Sequence, residues 1–62
     1  MLERWLIEII EDINKRTGAP ARTAAVATYI PRNERTIRGW LVALEQRGRV
    51  QRVGQRGGWM TA

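Results

Sequence analysis

The sequence predicts a mostly α domain with a small β-hairpin: three helices followed by two short strands. Three observations lead there. A long apolar stripe at helical spacing opens the chain, two shorter helical segments meet around Pro31, and a glycine-rich turn, Gly54-Gln55-Arg56-Gly57-Gly58, separates two short apolar runs at the end. With 62 residues there is room for one domain spanning 1–62. A chain of this size buries only about 60% of the surface its unfolded form exposes, so no deep substrate pocket with its own supporting shell is expected.

The first helix is expected over about 2–16. Leu2, Trp5, Leu6, Ile9, Ile10 and Ile13 fall at i, i+3, i+4, i+7, i+8 and i+11, one stripe for core packing. Glu8, Glu11 and Asp12 face away from it, and Lys15 and Arg16 complement the helix dipole in the last turn. Gly18 is the stop signal and Pro20 blocks continuation. Ile7, off the stripe, reads either as a partner contact or as an ordinary exposed apolar residue.

The second helix is expected over about 23–30. Thr23 is its N-cap, Ala24, Ala25 and Ala27 favour helix, and Val26, Tyr29 and Ile30 supply the apolar contacts. Pro31 ends it, because the residue before a proline is pushed out of the α region. The third helix, over about 34–47, starts behind an Asn33 cap with Glu34 at the positive dipole end. Ile37, Trp40, Leu41 and Leu44 form its buried stripe, and Gly48 stops it. Two helices joined by so short a turn have helix-turn-helix spacing. Residues 49–62 form the hairpin, with Val50-Gln51-Arg52-Val53 and Trp59-Met60-Thr61-Ala62 as strands. An isolated hairpin is marginal in water, so Val50 and Trp59 must anchor it to the helices.

Charge divides the chain. Up to Pro31, Arg4, Lys15, Arg16 and Arg22 balance Glu3, Glu8, Glu11 and Asp12; from Arg32 onward, seven arginines face only Glu34 and Glu45, which accounts for the net charge of +5. Arginine binds phosphate and guanine edges bidentately, so the second half suits nucleic acid, although a solvated basic surface has the same composition. An enzyme is not expected. There is no histidine and no cysteine, four of the six acids lie on the first helix, and no phosphate loop or nucleophile–base pair occurs. No cofactor, metal or small-molecule ligand is expected either. No apolar run approaches the roughly 20 residues of a membrane span, and Met1-Leu2-Glu3-Arg4 lacks signal-peptide character, so a cytoplasmic protein is expected.

The stretch from Asn33 to Val50 resembles the recognition helix and following turn of bacterial winged helix-turn-helix regulators. The R-T-I-R opening (Arg35-Thr36-Ile37-Arg38), the L-x-x-L-x-x-x-G closing (Leu41, Leu44, Gly48) and the apolar strand after the glycine carry the likeness. It is nearest to the DeoR-type repressors, then to the LexA-type N-terminal domain, and covers about residues 20–60. The resemblance implies a three-helix winged fold and a transcriptional regulator of bacterial, phage or plasmid type, or the DNA-binding domain of a larger protein. Gly39 departs from it, standing where those repressors more often carry a larger polar residue, so their operator preference does not transfer. Nothing corresponds to an effector domain. Z-alpha domains share the I…L…L…G…W frame more distantly. Their recognition-helix tyrosine aligns with Val42 here and their wing prolines with glycines, which sets that reading aside.

In a helix-turn-helix the start of the recognition helix reaches base edges, which makes Arg35, Thr36 and Arg38 the candidate readers. Arg32 and Thr36 are also placed for phosphate. Gly39 costs about 1 kcal/mol against alanine within a helix, and either allows close packing or lets the helix sit deeper in the major groove. Asn33 can cap or contact DNA, capping being preferred. Val42 is either half-buried, the preferred reading, or a thymine-methyl contact. Arg52 and Arg56, on and beside the hairpin turn, suit the phosphate backbone or a narrow minor groove; a solvated loop is the plainer alternative. Arg47 and Arg49 can be a dipole pair alone. The partner expected is double-stranded DNA, with a homodimer possible. The rivals are a protein-docking module, since fold does not fix function, and RNA binding, which the placement of Trp5, Tyr29, Trp40 and Trp59 on apolar stripes disfavours.

Overall fold

The computed structural model describes residues 2–54 and 57–62. Three helices, α1 (Leu2–Thr17), α2 (Thr23–Ala27) and α3 (Glu34–Gln46), precede an antiparallel hairpin of β1 (Val50–Val53) and β2 (Gly58–Thr61). The fold is mostly helical with a small hairpin, as expected.

The core draws on every element. Leu6, Ile9, Ile10 and Ile13 of α1 are buried with Val26 of α2 and Ile30, with Ile37, Leu41 and Leu44 of α3, and with Val50 and Trp59 of the hairpin. Burying a large apolar side chain contributes about 1.5–3 kcal/mol. The stripe of α1 is wider than the core it meets. Trp5, expected inside, lies at its edge and is 45% exposed, and Trp40 is half-buried. So few residues leave no element to cover the stripe's full width.

Both long helices stop at glycine. Gly18 (φ 67°) donates its N–H to Asn14 O at 2.8 Å, closing α1. At the end of α3, Gly48 (φ 76°) donates to Glu45 O at 3.0 Å and Arg49 to Leu44 O at 3.0 Å, a Schellman cap. No helix continues towards Val53.

The second helix differs from expectation at both ends. Its N-cap is Arg22, which makes no side-chain cap bond. Thr23 is instead buried, and its hydroxyl accepts the Trp59 indole N–H at 3.1 Å. That bond satisfies the polar end of a tryptophan otherwise surrounded by apolar groups. The helix ends at Ala27, ahead of Pro31, because the winding tightens. Thr28 and Tyr29 donate to carbonyls three residues back, and the Thr28 hydroxyl donates to Ala25 O at 2.7 Å. Tyr29 consequently points outward, 46% exposed.

Trp59 is the junction of the hairpin. It faces Arg52 across the ladder and on its other side forms a bridge with Ala21, through bonds of 2.7 and 2.8 Å. Beside it, Gly58 lies so close to Pro20 that a Cβ would collide with the proline ring. Asn14 adds a second tie: its amide donates to Ala19 O (3.0 Å) and Trp59 O (3.2 Å), and its Oδ1 accepts the Thr61 N–H (3.3 Å). The hairpin is therefore fixed to α1 and to the start of α2.

Candidate nucleic-acid interface

The start of α3 is set by its cap. Asn33 has extended backbone, and its Oδ1 accepts the Thr36 N–H at 2.8 Å, so the capping reading holds. From that fixed start, Arg35 and Arg38 project into solvent, as does Arg32 from the turn before it; Thr36 is half-buried. Val42 is half-buried, as preferred. Gly39 is exposed, and an added Cβ would meet no atom within 4 Å, so close packing inside the chain does not explain it.

On the hairpin, Arg52 leans across its ladder partner, with its guanidinium 5.0 Å from the centre of the Trp59 ring. Its Nη2 is 3.5 Å from Glu45 Oε1. The ring and the carboxylate aim the guanidinium without burying it, and an exposed pair at this distance is weak. Arg56 lies outside the described residues.

A cleft of about 350 Å³ opens between the segment leading into α2, the first turns of α3 and the hairpin; Arg22, Glu34, Arg38, Arg52 and Trp59 line it. Of the expected site residues, it brings Arg38 and Arg52 together. Arg32, Arg35, Thr36 and Gly39 lie outside it. Arg22 is the residue that sequence reasoning missed, counted there among the balanced charges of the first half. Its one local signal was its place immediately before a helix start, with no acid at helical spacing to pair with.

Three cations outside the cleft are matched. Lys15 pairs with Glu11 at 3.4 Å, Arg16 with Asp12 at 3.0 Å and Arg47 with Glu3 at 2.6 Å. Arg16 also donates to the Tyr29 hydroxyl; that bond first, and Asp12 second, raises its pKa above the ordinary arginine value. The exposed Tyr29 is thus engaged by Arg16. Among the described residues, the cations outside any ion pair are Arg4 on α1 and then Arg22, Arg32, Arg35, Arg38 and Arg49.

Among the described residues, no three His, Cys, Asp or Glu side chains gather as a metal site would require, and no helix is long and apolar enough to cross a membrane. In comparisons with known proteins, no family model, no curated protein and no solved structure matches the chain.

Proposed function

We propose that the chain binds double-stranded DNA with sequence preference, as a small transcriptional regulator of bacterial, phage or plasmid type or as the DNA-binding domain of a larger protein. A cytoplasmic location accompanies this reading. One observation carries it: Arg22, Arg38 and Arg52 converge on one cleft, Arg32 and Arg35 are exposed, and among the described residues Arg52 alone of these five has an acid partner.

In this reading α3 lies in the major groove with its first turns towards the bases. Arg35 and Arg38 pair with guanine O6 and N7. Arg32 and Thr36 hold phosphates and set the register. The hairpin acts as a wing, and Arg52 with Arg22 receives the backbone where it crosses the cleft. Glu34 on the cleft wall offsets part of that positive field.

A docking module is the second reading. It is favoured by the exposed Trp5 and by a shallow groove of about 180 Å³ in which Leu6, Trp40, Ala43 and Leu44 are joined by the Glu3–Arg47 ion pair. Selection from random duplexes separates the two. DNA readout returns a consensus, and a twofold repeat in it would report a homodimer. A pool without enrichment supports docking.

A further inference from the structure

Five of the six glycines have a reason within the chain's own fold: four take φ between 67° and 79°, and Gly58 makes room for Pro20. Gly39 has neither reason. It stands inside α3, exposed, where a Cβ would meet nothing within 4 Å. Glycine in a helix interior weakens the helix, since it leaves the backbone more freedom to lose on folding. A helix-weakening residue with open space around it suits an approach from outside. Its place is specific: one turn beyond Arg35 and directly after Arg38.

We propose that Gly39 is a contact notch. With no side chain there, a base-pair edge in the DNA major groove comes against the bare backbone of α3, and this depth brings the bases within reach of Arg35 and Arg38. The proposal rests on the DNA-binding reading and adds a residue that sets how deep the helix sits. A second copy of the chain is the competing occupant, because exposed Gly39 and Ala43 share the i, i+4 spacing of close helix–helix contacts. Charge decides against it. Two α3 helices apposed at Gly39 bring Arg38, adjacent to the contact, near its own copy, whereas DNA meets it with phosphate and guanine acceptors.

The test compares wild type, Gly39→Ala and Gly39→Leu in three measurements: thermal midpoint, affinity for a duplex selected with wild type, and sedimentation. Gly39→Ala is expected to raise the midpoint by about 4–8 °C. Its affinity should fall about tenfold, the equivalent of one lost base contact, and that of Gly39→Leu further. Sedimentation should not change. If wild type selects no duplex, the DNA-binding reading itself fails. If wild type binds and Gly39→Ala binds as tightly, the notch alone is overturned. Altered self-association with unchanged DNA affinity overturns it in favour of a second copy.

Discussion

The cations at the end of α1 and those around the start of α3 have opposite surroundings. Lys15 and Arg16 each reach an acid one turn back, at 3.4 and 3.0 Å, and form the solvated face of an ordinary surface helix. Arg22, Arg32, Arg35 and Arg38 have no such partner among the described residues, and the fold draws Arg22, Arg38 and Arg52 to one cleft. Like charges brought together disfavour the compact state unless an anion joins them. The pairs on α1 are complete within the chain. Among the described residues the cleft arginines have only Glu34 on the wall and Glu45 beside Arg52, and in the proposed reading an anion outside the chain completes the balance.

The comparison breaks most severely if the hairpin detaches, because Arg52 then leaves the cleft. Trp59→Ala removes a buried ring, its bond to Thr23 and its stack with Arg52, and should cost about 3–5 kcal/mol of stability. In so small a domain that should unfold much of the population at room temperature, visible in a thermal melt. A melt close to wild type would show that the hairpin is anchored elsewhere.

A sharper contrast sets the two regions against each other in binding. Arg35→Ala or Arg38→Ala should lose about 1–3 kcal/mol on the preferred duplex and relax discrimination at one base pair. Lys15→Ala should leave affinity and preference as they were. A panel of duplex variants titrated with each protein checks this, and equal losses from α1 and α3 would erase the distinction. The smallest loss expected is from Arg22 and Arg52. Arg22→Ala and Arg52→Ala should each weaken all sequences by a similar factor, with a salt slope shallower by roughly one unit. If Arg52→Ala changes which base is preferred, α3 and the hairpin have exchanged roles.

What was legible in the sequence was local. The apolar stripe of α1, the Asn33 cap and the Gly48 stop each depend on residues within a turn or two, and each is found where spacing placed it. What was not legible depends on distant partners. Thr23 looks like a cap until Trp59, 36 residues on, takes its hydroxyl. Asn14 carries no sequence signal for its bonds to Trp59 and Thr61, 45 and 47 residues away. By position Arg22 stands with the balanced charges of the first half, and the fold places it on the cleft with Arg38 and Arg52. Pro31 marks the limit of the second helix, whereas the tightened winding at Thr28 and Tyr29 ends it earlier. Trp5 fitted the stripe by period, but periodicity gives a direction and not the width of what covers it.

The central claim, that the charges around the cleft are completed by nucleic-acid phosphate, is tested most directly by titrating wild type with duplex DNA across a series of salt concentrations. Neutralising roughly three to five phosphates per monomer predicts that log K falls with log salt at a slope of about −3 to −4.5. Affinity that is flat in salt, or no binding at low salt, would contradict the account.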